Sequence, residues 1–485
     1  MKRFNILSLA VFIQFFYNCS SGQKQDGNPI NPVRPVNALF EAQPGWDIYK
    51  AGSYRYGPSI IINADGSIDA WFAAPGDTYN KKLYPDGIDK TPIQLTGDAI
   101  AAQKFTAANP FYGVGVVCPS WGNSIGNLTL TLYKWNIDYT TTVKGSVLAS
   151  KIFVNFKDNE ILKLTNSSLF PATDYLWALS KPSEIVGVWK YPMDKDGETN
   201  FLNGAEVSGA YEAVLFLDKG SDTGITSYWD QVAYRRSSDG GKSWSADQMV
   251  LKPTKDSRDQ LSVCDPGVAR WGNYYFIGYT STEDTSGKTN HVYVCRSQTA
   301  VGPWEKWNGS GWGGSPKPII TYTGSSDYFG AGEPCMVVKD NKIFFYYSWN
   351  GGNNETITTR VATANEDDPN WPAHLSLHGT AINKSLISGA DHCDVKYRDD
   401  IKKFQAVHTA SRITAESYIV LWVSSDGLNF EKSGEIRNNL RPYLHNCGWS
   451  SDEKGHINTT KQNFISYAYG PKWAAWNTFW NPISF

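Results

Sequence analysis

The chain lacks a surplus of charge of either sign. It has 45 Lys and Arg residues against 47 Asp and Glu residues, and its formal net charge is -2. Nucleic acids are bound through basic surfaces, so this balance argues against DNA or RNA as a partner.

Cysteine is scarce and poorly spaced for metal binding. The chain has 7 cysteines, and no pair shows the Cys-x-x-Cys spacing of a zinc site, so no metal ligands are predicted. Cys19 belongs to the N-terminal segment discussed next. The pairing of the other six is left open, and buried free thiols are at least as well supported as disulfides.

The N-terminal apolar run is too short to cross a membrane. Residues 6–17 are apolar and follow Lys2 and Arg3, which is typical of a signal peptide. A lone Cys19 comes directly after this run and resembles a bacterial lipoprotein processing site. We therefore expect a signal peptide at 1–19, lipidation of Cys19, a flexible tether at 20–38 and anchoring to a bacterial outer membrane outside the cytoplasm. An ordinary secretory signal is the alternative.

Aromatic and turn-forming residues are abundant. Aromatics make up 14% of the chain, which also contains 43 Gly and 24 Pro. This composition favours many short strands joined by tight turns, and so an all-β fold.

One hairpin pattern recurs along the chain. Residues 264–280 (CDPGVARWGNYYFIGYT) and 333–349 (EPCMVVKDNKIFFYYSW) share a strand, a turn and an aromatic strand. Fainter copies lie at 57–73, 393–409 and 446–469. Because repeats of this size indicate stacked units or blades, the pattern predicts a five-bladed β-propeller. It would begin with part of blade one at 39–84 and be completed by 216–485.

The segment between these two parts follows a different pattern. Residues 85–215 contain short, Thr-rich and aromatic-rich alternating strands, such as residues 128–135 (LTLTLYKW). This spacing predicts a β-sandwich inserted in the first blade. Such an insert either binds carbohydrate or serves as a structural cap.

Two segments match the aspartate-box turn of propeller blades. Residues 237–244 (SSDGGKSW) carry every fixed position of the pattern, and residues 424–430 (SSDGLNF) repeat it weakly. In this turn the Asp accepts backbone N–H groups and the Gly takes a positive φ. The motif predicts blade structure rather than chemistry.

Two of the repeated hairpins begin with a carboxylate. The innermost strands of a propeller line its channel, so Asp265 and Glu333 should converge at one end of it. A pair of carboxylates, one protonated and one ionised, is what cleavage of a glycosidic bond requires. A purely structural role in hydrogen bonds between blades is the alternative.

The segments that carry Asp265 and Glu333 resemble the five-bladed propeller enzymes around glycoside hydrolase family 43. The resemblance covers residues 40–80 and 220–485. It implies that Glu333 is the general acid and that Asp265 is the supporting carboxylate. The position at which the family carries its general base has no acidic residue in this chain, because the first hairpin begins with Gly57. Candidates for that role are Asp391, Asp394 and Asp230, with His392 as a candidate acid.

Four further residues are expected to contact substrate: Tyr54, Arg55, Trp271 and Trp449. The resulting hypothesis is a glycoside hydrolase acting on a poly- or oligosaccharide, with no required cofactor and with a channel compatible with a structural calcium ion. A non-catalytic glycan-binding lipoprotein is the alternative. A sialidase-like enzyme ranks lower, because no motif groups three of the five candidate arginines: Arg55, Arg235, Arg236, Arg270 and Arg296.

Overall fold

The computed structural model describes residues 40–49, 54–85, 89–217, 227–351 and 357–485. The predicted signal peptide, the Cys19 lipidation site and the whole predicted tether at 20–38 lie outside these residues. Within them, helix is limited to α1 (Tyr139–Val143) and a 3-10 helix (Trp371–Ala373). No helix in the described ranges has the length and apolar character needed to span a bilayer.

The first strands belong to the propeller. They are β1 (Glu41–Ala42), β2 (Trp46–Tyr49), β3 (Tyr56–Ile62) and β4 (Ile68–Pro75). The inserted strands follow: β5 (Asn80–Lys82), β6 (Thr91–Leu95), β7 (Ala101–Thr106), β8 (Phe111–Cys118), β9 (Asn127–Lys134), β10 (Val147–Val154), β11 (Glu160–Phe170), β12 (Asp174–Ser183), β13 (Val186–Tyr191), β14 (Thr199–Leu202), β15 (Ala205–Val207), β16 (Ala210–Tyr211) and β17 (Ala213–Phe216).

The chain then returns to the propeller. Blade one is completed by β18 (Asp230–Ser237) and β19 (Gln248–Leu251). The next two blades are built from β20 (Cys264–Trp271), β21 (Tyr274–Ser281), β22 (His291–Ser297), β23 (Glu305–Lys306), β24 (Gly330–Lys339), β25 (Lys342–Asn350), β26 (Thr358–Asn365) and β27 (Ser376–Asn383). The last strands are β28 (Cys393–Arg398), β29 (Lys403–Ala410), β30 (Tyr418–Ser424), β31 (Glu431–Ile436), β32 (Leu444–Ser451), β33 (His456–Ile457), β34 (Asn463–Tyr469) and β35 (Asn477–Ser484).

Strand pairing defines five antiparallel blades. The first four are β3–β4–β18–β19, β20–β21–β22–β23, β24–β25–β26–β27 and β28–β29–β30–β31. The fifth contains β32, β34 and β35, and the N-terminal strands β1 and β2 pair with β35 as its outer edge. The innermost strands lie side by side in the order β3, β20, β24, β28, β32, and β32 lies against β3 to close the ring. The predicted five-bladed propeller is confirmed.

The blades pack through their apolar faces. Strand β4 is buried over seven of its eight residues, with Trp71 and Phe72 fully inaccessible. Burying a large apolar side chain contributes about 1.5–3 kcal/mol. Aromatic-rich strands such as β4, the second strand of its blade, therefore provide much of the driving force for closing the ring.

The insertion has its own core. Its sheets are β10–β9–β12–β7–β14–β15, β11–β8–β17–β5 and β16–β13–β6. Their inner faces share one apolar cluster that includes Val116, Leu130 and Trp177. The insertion is therefore an all-β unit of three sheets packed over one core, and its classification as a β-sandwich stays a prediction. It leaves the propeller between the second and third strands of blade one.

Both aspartate boxes form turns between outer strands. Asp239 accepts the backbone N–H groups of Lys242 and Ser243 between β18 and β19. Asp426 accepts those of Leu428 and Asn429 between β30 and β31. These turns hold the blade edges, as the motif predicts.

The described cysteines are free thiols. All six are unpaired, and five of them are buried. They pack as small apolar residues, so no disulfide contributes to the described part of the fold.

Candidate active site

The site lies at the end of the propeller where the innermost strands begin, which we call the mouth. Four of these strands carry the same β-bulge there, between Tyr56 and Ser59, Cys264 and Gly267, Gly332 and Cys335, and Leu444 and Cys447. The first bulged residue in blades one, two and three is Gly57, Asp265 and Glu333, with φ of 58, 50 and 52°.

Two of these positions hold strained, chemically active residues. A left-handed φ costs a residue with a side chain of order 1–3 kcal/mol, and such strain clusters at functional sites. Asp265 and Glu333 both adopt a left-handed φ in spite of this cost. The shared bulge aims both carboxylates at the channel, as the equivalence of the two hairpins predicts.

Three side chains converge at the mouth. Asp265, Glu333 and His392 each place one oxygen or nitrogen within 4.8 Å of the others. Asp265 and His392 are buried, whereas Glu333 is partly exposed. Within the described ranges, the buried Nδ1 of His392 has no hydrogen-bond partner. Buried polar groups are nearly always bonded, so this nitrogen is available to a ligand or a water molecule at the mouth.

The electrostatics of the pair follow from burial. Burial raises the pKa of Asp265 well above its usual range, and the neighbouring charge of Glu333 raises it further. Like charges this close do not both ionise easily, so Asp265 favours its protonated form. Burial lowers the pKa of His392 to about 4, so its imidazole is neutral near pH 7.

The same three groups are the one set in the described ranges that could hold a metal ion. Calcium prefers an all-oxygen shell, so the imidazole makes this set a poor calcium site and better suited to a transition metal. A structural calcium ion in the channel stays a prediction.

Asp391 enters the mouth from blade four. Its carboxylate forms an ion pair with Arg412 and lies 3.6 Å from Nδ1 of His445. The buried Lys384 donates to the Asp391 carbonyl oxygen at 2.7 Å. Burial raises the pKa of Asp391, while Arg412 opposes the rise and Glu333 adds to it. Asp391 is therefore a carboxylate held in place by cations beside the Asp265 and Glu333 pair.

Asp230 is buried beside the mouth and fully engaged. It accepts hydroxyl groups from Tyr54 at 3.0 Å, Tyr56 at 2.9 Å and Ser262 at 2.9 Å. Burial raises its pKa. Asp230 thus positions the two tyrosine rings and contributes negative potential to Asp265.

Asp394 has a structural position. Its side chain bonds to Lys396 at 2.9 Å and accepts the backbone N–H of Trp449 at 2.9 Å, which ties blade four to blade five. Its charge acts on His392 of the cluster, while both of its oxygens are engaged within the protein. Asp391 interacts with both Asp265 and Glu333 and has Arg412 on its carboxylate, which favours it over Asp394 and Asp230 as the base.

Three of the four expected substrate contacts are placed elsewhere, which corrects those predictions. Trp271 is 5% exposed and stacks on Phe276 at the far end of β20. Trp449 is fully buried against Phe40. Arg55 forms an ion pair with Asp247 at 2.7 Å. Each side chain is occupied by packing or pairing and is not available to a ligand.

Tyr54 does lie at the mouth. Its hydroxyl donates a hydrogen bond to Asp230, and its ring centroid lies 5.3 Å from that of Trp476. The five arginines weighed for a sialidase are dispersed: Arg55 and Arg235 bind Asp247, Arg236 binds Asp69, Arg270 binds Glu453 and Arg296 binds Glu305.

Sequence reasoning missed Arg412 and Lys384. Arg412 lies in the connection between β29 and β30, and Lys384 directly follows β27. Neither position belongs to the repeated hairpins, so no motif marks them. The nearest signal is the run Asp391–Asp394, whose charges need nearby cations when buried.

A cavity of about 650 Å³ opens at the opposite end of the propeller. Charged side chains at its wall are already paired, Arg270 with Glu453 at 2.8 Å and Arg236 with Asp69 at 3.0 Å. It contains none of the residues of the mouth cluster. The mouth, with its convergent carboxylates and imidazole, is the better candidate for chemistry.

The fold and site define a five-bladed propeller with an acidic cluster at one mouth. No family model and no curated protein matches the sequence. Among solved structures, it partly overlaps a family 117 glycoside hydrolase from the marine bacterium Zobellia galactanivorans. The two are 17% identical with a TM-score of 0.37, over 52% of this chain and 70% of that one.

Two other solved structures overlap this chain to a similar extent. An endo-arabinase from Bacteroides thetaiotaomicron is 15% identical with a TM-score of 0.37, over 53% of this chain and 86% of that one. An α-L-arabinofuranosidase from Lactobacillus brevis is 10% identical with a TM-score of 0.37, over 52% and 82%. No inference about function is drawn from likenesses of this extent.

Proposed function

We propose that the protein is a glycoside hydrolase that cleaves a poly- or oligosaccharide at the mouth of the propeller. One observation carries the proposal: Asp265, Glu333 and His392 come from three successive blades and converge within 4.8 Å. Hydrolysis of a glycosidic bond needs a protonated acid next to the leaving oxygen and a second carboxylate.

Glu333 is the proton donor in this proposal. It is the most exposed of the three groups and can reach a bound glycosidic oxygen. Asp265 is buried behind it, and burial favours its protonated form, so it can supply a proton to Glu333. The imidazole of His392 is neutral near pH 7 and is a weak acid in that form, so its role is to hydrogen-bond substrate or water.

Asp391 is the general base. The oxygens of Asp265 and Glu333 lie within 4.8 Å, closer than the separation of about 6.5–9.5 Å in inverting pairs and near the separation of about 5–5.5 Å in retaining pairs. Burial favours the protonated form of Asp265 over the ionised form that a nucleophile needs, so the proposal assigns the base to a separate carboxylate. Arg412 and His445 hold the Asp391 carboxylate, so it can orient a water molecule and accept its proton.

The test is the release of new reducing ends from a panel of plant and host polysaccharides. We expect the protein to generate product from at least one of them. Binding of a polysaccharide without product from any would contradict the hydrolase.

Gly57 supports a second candidate, a non-catalytic glycan-binding lipoprotein. At this bulge position the chain carries no side chain, so a base at the first blade is absent. In this second candidate Asp391 does not replace it, and the mouth binds sugar without cleaving it. The anchor at Cys19 stays a prediction in either case.

A further inference from the structure

Arg412 and Trp473 form a composite surface beside Asp391. The Trp473 ring lies 5.1 Å from that of His445, and its centroid lies 5.8 Å from the Arg412 guanidinium carbon. Nδ1 of His445 is in turn 3.6 Å from Asp391. The pair therefore borders the proposed catalytic carboxylate directly.

The guanidinium has unused donors. Nη1 of Arg412 contacts Asp391 and lies 3.4 Å from Nδ1 of His445. Its Nε and Nη2 make no hydrogen bond to any residue in the described ranges, although only 16% of the side chain is exposed. A largely buried guanidinium with two free nitrogens presents the fork that suits a carboxylate.

Two cations lie beside Asp391 on this side of the mouth. Asp391 faces both Arg412 and the ammonium of Lys384, which is 1% exposed and bonds to the Asp391 carbonyl oxygen. Within the described ranges, no carboxylate lies within ion-pairing distance of Lys384. The neighbouring pair of Lys396 and Asp394 is balanced. Glu333 also acts on Asp391, so an anionic ligand here would depend on the free edge of the Arg412 guanidinium for its binding.

Trp473 supplies a flat apolar surface next to that fork. It is 40% exposed, whereas Trp476 and Trp480 from the same C-terminal segment are buried. Trp473 lies in the connection between β34 and β35, at the mouth. An exposed ring held edge-on by His445 can stack on the apolar face of a sugar.

We propose that Arg412 and Trp473 form a subsite for a uronosyl residue, with its carboxylate on Nε and Nη2 of Arg412 and its ring on Trp473. This subsite rests on the proposed function, in which the mouth binds a glycan. It names acidic polysaccharide as the substrate class.

The test measures binding in a Glu333→Gln background, so that cleavage does not interfere. The probes are methyl glucuronide and methyl galacturonide, each beside its neutral methyl glucoside or methyl galactoside. We expect at least one acid to bind about tenfold more tightly than its neutral parent, because charge-assisted bonds are the stronger ones. Added salt should reduce that preference.

Substitutions at two residues locate the effect. Arg412→Gln should abolish the preference for the acid, and Arg412→Lys, which keeps the charge beside Asp391, should also lose it because the fork is gone. Trp473→Ala should weaken binding of acid and neutral sugar alike. The matched control is Trp121→Ala, an exposed tryptophan of the insertion, which should change neither.

Equal binding of acid and neutral probes, or binding of neither, would overturn the subsite. So would an acid preference that survives both Arg412 substitutions in folded protein. Acid-selective binding by a protein that cleaves nothing would overturn the hydrolase and leave the subsite standing.

Discussion

Asp265 and Glu333 occupy the same position of the same β-bulge in adjacent blades, with φ of 50 and 52°. Each is followed by a proline, which fixes the exit from the bulge. The ring of blades turns this repeat in sequence into proximity in space. The chemistry of one carboxylate therefore depends on the other.

Asp265→Asn should stabilise the protein at neutral and alkaline pH. The folded-state pKa of Asp265 is raised above the unfolded value of about 3.9, so its contribution to stability is full below that pH. It is lost as pH rises through the folded pKa. Asp265→Asn removes this loss, so the substitution should raise the free energy of unfolding at pH 8.

Thermal unfolding at pH 5 and pH 8 measures this effect. The difference in Tm between Asp265→Asn and wild type should grow with pH, while kcat/KM falls. Asp196→Asn, at an exposed aspartate of the insertion, is the control and should shift Tm at neither pH. A destabilised Asp265→Asn at pH 8 would contradict a buried Asp265 that favours its protonated form.

Activity should follow a bell-shaped pH profile. The acid-side limb reports ionisation of Asp391, whose pKa burial raises and Arg412 holds down, and the alkaline limb reports loss of the proton from Asp265, whose pKa burial raises. Arg412→Gln should therefore move the acid-side limb to higher pH. Asp391→Asn should reduce kcat at least about 100-fold, as expected for removal of a general base. An unmoved limb in Arg412→Gln would remove Asp391 from that role.

Gly57→Asp separates the two candidate functions. A Cβ added at position 57 would lie 3.3 Å from Oδ1 of Asp265. The left-handed φ at this position would cost a residue with a side chain about 1–2 kcal/mol. If Asp391 is the base, the crowded carboxylate should lower kcat/KM below that of Gly57→Ala, which carries the same strain. If the wild type only binds glycans, Gly57→Asp instead creates the missing base, and new hydrolysis would favour the binding protein.

Asp239→Ala should lower Tm without changing kcat/KM. The aspartate-box turn loses the acceptor for the Lys242 and Ser243 backbone N–H groups, and it lies where β18 ends, away from the mouth. Thermal unfolding and kinetics on one preparation measure both effects. A fall in kcat/KM with unchanged Tm would show that the turn reaches the site.

Much of the fold could be predicted from the sequence because its information is repeated. Five hairpins with a common length and turn specify five blades, and the two aspartate boxes mark blade edges. Asp265 and Glu333 were identifiable because equivalent positions in different blades must meet at the channel.

The rest of the site depends on packing across the ring. Arg412, Lys384 and Trp473 lie in connections between strands, where no repeat fixes their position. Trp271 and Trp449 are on innermost strands, where successive side chains alternate between the channel and the core. The position of a residue along the strand also decides which end of the propeller its side chain lies near. Arg55 directly follows Tyr54 but its side chain points to Asp247 instead of the mouth.

The most direct measurement compares wild type with Glu333→Gln in the release of reducing ends from plant and host polysaccharides, alongside binding of the same polymers. The account predicts that wild type cleaves at least one polymer, and that Glu333→Gln binds it but cleaves it at least about 100-fold more slowly. Equal rates in the two proteins, or binding by wild type without any product, would contradict it.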